Sequence, residues 1–277
     1  MCKKLFGGSD STPVLLTPGD RVVLVGINKY PNAPLNGCVN DVLDMADFLA
    51  DVKKFDPKDI QIITDERATT SGILEKLHWL SEAVAGSRAY FHFSGHGTQI
   101  DSMDQTEEDL LNEVICPVDF DWTSHNMITD KDLVSIFSKI DKSVIFNWAS
   151  DSCHSGDLTR KMGVKSRRMP LPADLQWKAD RQKMRNKERY VVRAIRSSVL
   201  NCGYVSGCRS DQTSADAMID GRYCGAFTHY YLKNLKSDPS LPLEDIATRV
   251  CKDLEVTGYE QRPQAEGLRK DKGLLLA

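Results

Sequence analysis

Two short stretches of the sequence each set a reactive side chain just past an apolar run, with glycine beside it: Phe91-His92-Phe93-Ser94-Gly95-His96-Gly97 and Asp151-Ser152-Cys153-His154-Ser155-Gly156. In the first, His92 alternates with Phe91 and Phe93 and reads as a core histidine. His96 has a glycine on either side, which leaves its imidazole uncrowded and lets a ligand approach the backbone. In the second, a thiol among polar neighbours, with glycine three residues on, is poorly explained by packing. An imidazole within reach of a thiol makes the sulfur a nucleophile. The chemistry to expect is therefore that of an activated cysteine, provided that the fold brings His96 and Cys153 together.

The elements needed for that are visible as patterns. Arg21 to Ile27 is a β-branched run and reads as a buried strand, and Cys38 to Val52 carries Val42, Met45, Phe48, Leu49 and Val52 at helical spacing. A strand at Asp59 to Ile63 and a helix from about Thr70 to Ala85 follow, then a strand at Ala89 to Phe93 that ends at the His96 motif. Glu113 to Val118 reads as a short strand, Asp130 to Ile140 as a helix, and Ser143 to Ala149 as an apolar strand that ends at the Cys153 motif. Leu200 to Ser206 reads as a strand, and Gly225 to Leu235 and Leu243 to Leu254 as helices. Strands alternating with helices imply an α/β fold with a mainly parallel sheet and helices on both faces. Chemistry in such sheets gathers at the carboxyl ends of the strands.

Composition limits what else the chain can be. It has 277 residues, 41% hydrophobic and 27% charged, which excludes a disordered chain or a fibre. The sequence contains no apolar run of membrane-spanning length and no signal-peptide core, so a cytoplasmic protein with no membrane partner is expected. The formal charge of −3 argues against a nucleic-acid partner. The charge is uneven, however: residues 160–196 hold 13 Lys/Arg against 3 Asp/Glu, a net +10 that leaves −13 on the remainder. The eight cysteines show neither CxxC pairs nor regular spacing, which fits reduced thiols better than a metal finger or a disulfide scaffold.

The stretches GINKYPNAPLNGCVNDVLDMADFL, HFSGHGTQ, ICPVDFD, DSCHSG, SGCRSDQTSAD and GAFTHYYL together resemble the metacaspases and their bacterial orthocaspase relatives, caspase-like cysteine peptidases. The resemblance spans about Arg21 to Gly267. It implies a caspase-like three-layer sandwich in one domain: residues from about 18 to 156 carrying the dyad, a basic linker at 157–197, and a part from 198 to 277 completing the sheet. It implies a monomeric endopeptidase acting on proteins or peptides after Arg or Lys. His96 matches the catalytic histidine and Cys153 the nucleophile, and the amides of Gly97 and Cys153 the oxyanion hole. Asp41, Ser94 and Asp151 match the substrate pocket, where carboxylates select a basic side chain. Without the motif around it, Asp41 would read as a helix N-terminal charge.

The family's calcium ligands correspond here to Asn112, Asp130, Lys131 and Arg160, one carboxylate with two cations. Calcium needs several oxygen donors, so no cofactor is expected. The basic linker lies where caspase-like enzymes are cut, and an acidic pocket would accept Arg167, Arg168, Lys183, Arg185, Lys187 or Arg189 as a self-cleavage site, or as a pseudo-substrate until cut. Two rivals stand beside this reading. One is a non-proteolytic caspase-homologue scaffold, which has no chemical reason to keep the dyad. The other is a metal hydrolase using His92, His96, His154 and Cys153, whose histidines lack the helical HExxH spacing.

Overall fold

Continuous runs of β-branched and aromatic residues are stable only where both faces are covered, and they form the centre of the molecule. The computed structural model describes residues 19–101, 111–153, 163–177, 181, 200–209 and 212–276. Its main sheet contains β1 (Arg21–Gly26), β2 (Ile60–Thr64), β3 (Arg88–Ser94), β7 (Ile145–Asp151), β9 (Cys202–Ser206) and β12 (Gln264–Glu266). The strand order is β2-β1-β3-β7-β9-β12, parallel except that β12 runs antiparallel to β9. Strands from before and after the basic segment thus share one sheet.

Alternate residues of each strand enter separate cores. Val23, Val25, Phe91 and Phe93 face α2 (Thr70–Ser81) and α3 (Asp130–Phe137), which contribute Ile73, Leu77, Leu133 and Ile136. Val22, Leu24 and Tyr90 face α1 (Cys38–Asp51), α4 (Ala226–Ser237) and α5 (Leu243–Val256), which contribute Met45, Phe48, Phe227 and Val250. The result is a three-layer α/β sandwich. A capping box starts α3: Thr129 Oγ1 accepts from Asp132 N, and Asp132 Oδ2 accepts from Thr129 N.

Two three-stranded sheets flank the edge where the parallel strands end. One has the order β4 (Gly97–Asp101), β5 (Leu111–Ile115), β6 (Ile128–Thr129). The other has the order β11 (Arg222–Gly225), β10 (Ala215–Ile219), β8 (Lys165–Ser166). The strand expected at 113–118 lies at 111–115, because its register is set by antiparallel pairing with β4. In the basic segment, residues 173–177 and 181 are helical, and residues 178–180 and 182–199 lie outside the described set.

Packing also explains the polar and bulky Asn147-Trp148 pair in a central strand. Trp148 stacks on Tyr204 with ring centroids 3.8 Å apart and packs against Phe91 and Phe137. Asn147 points the other way and accepts from the Leu275 amide at 2.8 Å, which ties the end of the chain beneath the sheet. Trp148→Ala is expected to lower stability by about 3–5 kcal/mol, the usual result of emptying a large aromatic site, with chemical denaturation as the measurement. A loss below about 1 kcal/mol would show that Tyr204 and Phe137 close the gap.

Candidate active site

Sheet register brings the first site residues together. Ser94 at the end of β3 is the partner of Asp151 at the end of β7, and Gly26 at the end of β1 is the other partner of Ser94. A Cβ on Gly26 would lie 2.6 Å from the Cys38 carbonyl oxygen, so glycine there lets the start of α1 descend onto the strand ends. Asp41, in the first turn of α1, accepts from Ser94 Oγ at 2.7 Å and from the Gly225 amide at 2.9 Å. Asp151 accepts from Ser214 Oγ and from the amide and hydroxyl of Thr228 at 3.0 and 2.7 Å. Both carboxylates are buried.

Arg167 enters this cluster. Its Nη2 is 2.7 Å from Asp41 Oδ2 and 3.1 Å from Asp216 Oδ1, and its Nη1 is 3.1 Å from Asp151 Oδ2 and 2.7 Å from Ser94 Oγ. The residue is 0% exposed. Asp216, on β10, also accepts from the Asn36 and Gly37 amides at 2.8 and 2.9 Å. Gly225 forms a wall of the pocket: a Cβ there would lie 2.1 Å from Asp151 Oδ2 and 2.5 Å from Arg167 Nη1. Burial raises the Asp41 pKa to about 6, with Asp151 adding to the rise and Arg167 opposing it. The three carboxylates hold the guanidinium well above its ordinary range, although burial opposes them.

The backbone of the same segment is fixed as firmly as the side chain. Lys165–Ser166 pairs antiparallel with β10, and the Arg167 amide donates to the Ser214 carbonyl at 3.0 Å. The amides of Gly97 and Cys153 both donate to the Arg167 carbonyl oxygen, at 3.0 and 3.3 Å. Cys153 Sγ is buried, 3.8 Å from Ser166 Oγ.

His96 is held from behind. Its amide donates to Tyr30 Oη at 3.0 Å, Tyr30 donates to the Cys116 carbonyl at 2.8 Å, and the two rings are 4.6 Å apart. His96 Nε2 lies 2.7 Å from the Ala33 carbonyl oxygen. A carbonyl can only accept, so this contact assigns the proton to Nε2 and leaves the lone pair on Nδ1. Nδ1 is buried beside the Arg167 backbone, without a well-aligned partner. Burial lowers the His96 pKa to about 4 and raises that of Cys153 to about 12. Imidazole and thiol are therefore both neutral while Arg167 covers them.

The structure thus gathers His96, Gly97, Cys153, Asp41, Ser94, Asp151 and Arg167 at one sheet edge. Arg168 follows Arg167, half-buried alongside Gly97. Lys183, Arg185, Lys187, Arg189, His154 and Arg160 lie outside the described residues. His92 is buried on the Tyr90 face of β3, where burial lowers its pKa to about 4, and among the described residues neither ring nitrogen has a hydrogen-bond partner. Asn112 is on β5, and Asp130 and Lys131 start α3. Three of the four positions that correspond to the family's calcium ligands thus present one amide, one carboxylate and one lysine ammonium. Sequence reasoning missed Asp216, Ser214, Thr228 and Gly225, which reach the pocket only through the β10–β11 hairpin.

Comparison with known proteins gives three findings. Residues 20–161 match the family described as metacaspase, peptidase C14 domain. Over 88% of its length the chain is 29% identical to Metacaspase-1B of Neurospora crassa and 27% identical to Metacaspase-1 of Saccharomyces cerevisiae, spanning 65% of each. It is 30% identical to Metacaspase-1 of Scheffersomyces stipitis, covering 88% of this chain and 69% of that one. A crystal structure of a Geobacter sulfurreducens protein has the same fold, with a TM-score of 0.64 and 22% identity over 90% of this chain and 93% of that one.

A protonated, covered thiol should be slow to alkylate. In the intact chain, iodoacetamide is expected to modify Cys153 at least about tenfold more slowly than an unperturbed thiol at pH 7.5, as followed by peptide mapping. Arg167→Ala, which leaves three buried carboxylates without a cation, should loosen the segment and speed the reaction. Equal rates in the two proteins would show that the backbone bonds alone hold the cover in place.

Proposed function

We propose that this chain, which belongs to the metacaspase family of C14 peptidases, is a cysteine endopeptidase that hydrolyses peptide bonds after Arg or Lys and first cuts itself between Arg167 and Arg168. One observation carries the reading. A basic side chain fills a three-carboxylate pocket while the carbonyl oxygen of the same residue accepts from two amides beside a thiol and an imidazole. That is how a substrate on the acyl side of a scissile bond would sit.

The chemistry follows from the groups present. His96 Nδ1, with its lone pair, takes the Cys153 proton, and Sγ attacks the Arg167 carbonyl carbon. Negative charge moves onto the oxygen already facing the Gly97 and Cys153 amides. The imidazolium, its Nε2 proton shared with the Ala33 carbonyl, then protonates the Arg168 nitrogen as the C–N bond breaks. Water, deprotonated by the same Nδ1, releases the acyl group. In trans the pocket takes Arg by the contacts Arg167 makes, and Lys as a point charge among the same carboxylates. Acidic side chains are rejected by like charge. Calcium has no step in this scheme, and a monomer in the cytoplasm suffices for it; among the described residues no helix is long and apolar enough to cross a membrane.

Mass spectrometry of chain purified with excess chelator throughout tests the cut. Wild type should yield a fragment ending at Arg167, and Cys153→Ala should stay intact and fail to cleave an Arg-ended reporter. An intact wild type with full reporter activity would refute self-cleavage, and an active Cys153→Ala would refute the mechanism.

The pocket predicts a pH profile with a definite sign. Asp41 attracts a cation only as a carboxylate, and with Arg167 beside it its pKa is about 6. Binding of basic substrates is thus strong above that value and is lost as the pH falls through it, which kcat/KM should follow. Asp41→Ala should lower kcat/KM on an Arg reporter at least about tenfold at neutral pH and abolish this limb. An unchanged profile would remove Asp41 from the pocket.

A further inference from the structure

Burial alternates along the segment that carries Arg167. Lys165 is exposed, Ser166 partly buried, Arg167 fully buried, Arg168 partly buried, Met169 buried at 8% exposure and Pro170 exposed again. A period of two is that of an extended strand laid across a surface with two recesses. The first recess is the carboxylate pocket. The second takes Met169, whose side chain joins the apolar core that α2 and α3 cover.

The backbone holds Met169 in the groove by a bond of its own. The Met169 amide donates to the Gly97 carbonyl at 2.8 Å, while the Gly97 amide donates to the Arg167 carbonyl at 3.0 Å. One residue, Gly97, thus holds the chain on both sides of the Arg167–Arg168 bond, and the two runs form a parallel bridge there. Bonds to main chain carry no sequence information, so selection beyond Arg167 depends on what the second recess accepts. It is lined by a hydrophobic core and takes an unbranched thioether with three rotatable bonds, a shape that fills irregular apolar gaps.

We infer that the substrate groove continues past the cleaved bond into an apolar subsite, anchored at the Gly97 carbonyl, that selects a large hydrophobic side chain at the second residue after the cut. The inference rests on the reading that Arg167–Arg168 lies as a substrate does, and extends it from the basic residue to the leaving-group side. Reporters that carry only a dye after Arg never reach this subsite. Peptides that continue at least two residues past the cut do.

Internally quenched peptides of residues 164–171, Val-Lys-Ser-Arg-Arg-Met-Pro-Leu, test it with the full-length chain, products being identified by mass. Asp in place of Met should lower kcat/KM for cleavage after the first Arg by about tenfold or more, as expected for losing the burial of one large apolar side chain. Leu in that place should stay within about threefold, because volume-conserving apolar exchanges are well tolerated. Ala in place of the first Arg should stop cleavage at that bond whatever follows. Equal rates for the Met and Asp peptides, with the Arg requirement intact, would overturn the subsite and leave the basic specificity standing. No cleavage of any peptide, or cleavage indifferent to the first Arg, would overturn the underlying reading and the subsite with it. In the chain itself, Met169→Asp should slow appearance of the fragment ending at Arg167 while Met169→Leu does not. Full-speed processing by Met169→Asp would count against the subsite.

Discussion

A guanidinium with no exposure to water is tolerated only where anions and acceptors replace its hydration, and that requirement at Arg167 organises the working edge of this protein. Three carboxylates meet it, and each comes from a different element: Asp41 from α1, Asp151 from β7 and Asp216 from β10. Those anions need donors of their own, since three carboxylates against one cation leave an excess of negative charge. The amides of Asn36, Gly37, Gly225 and Thr228 and the hydroxyls of Ser94, Ser214 and Thr228 supply them. Satisfying one buried charge therefore fixes the start of α1, the ends of β3 and β7, the β10–β11 hairpin and the first turn of α4 relative to one another. Removing one partner from such a set generally costs about 3–5 kcal/mol, whereas the assembled set adds little net stability. The network is better understood as setting geometry than as holding the fold together.

The segment that satisfies the pocket also covers the Cys153 thiol. Water excluded by residues 165–169 can no longer stabilise a thiolate or an imidazolium, so burial moves the two pKa values apart, Cys153 up to about 12 and His96 down to about 4. Imidazole and thiol are neutral in the covered state, and a thiolate–imidazolium pair is disfavoured at both ends. The Arg167 carbonyl is nevertheless already held by two amides, the arrangement that the proposed mechanism asks of an oxyanion hole. On the mechanism proposed, the covered site is limited by its mismatched acid–base pair and not by the position of the Arg167 carbonyl.

How much of this the sequence announces depends on how local the cause is. The strands and helices are legible because each is written in its own periodicity: Phe91 and Phe93 alternate with His92, and Val42, Met45 and Leu49 recur on one face. His96 and Cys153 are legible because glycine and polar residues past a buried strand have no packing role. Asp216, Ser214 and Thr228 fall within SGCRSDQTSAD and GAFTHYYL, but their own types and spacing do not distinguish a pocket carboxylate or hydroxyl from a surface one. Their place follows from an antiparallel hairpin paired to residues about 50 positions earlier. The short strands β4, β6 and β8 escape for the same reason, since their register is set by partners. Asn147 is unreadable until Leu275 returns to it across 128 residues.

The segment contains two adjacent arginines, and side-chain chemistry alone does not choose between them, since either guanidinium fits a carboxylate pocket. The backbone does. Ser166 and Lys165 pair with Ala215 and Asp216, and Met169 donates to the Gly97 carbonyl. Sliding the chain back by one residue would put Arg168 in the pocket and Pro170 where Met169 now donates. Proline has no amide hydrogen, so the Gly97 carbonyl would lose its partner in a site closed to water. The apolar recess would at the same time exchange a long thioether for a short ring, and every inward side chain of the strand would turn outward. Pro170 thus excludes the neighbouring register by removing a donor, and Arg167 is the arginine that the groove holds.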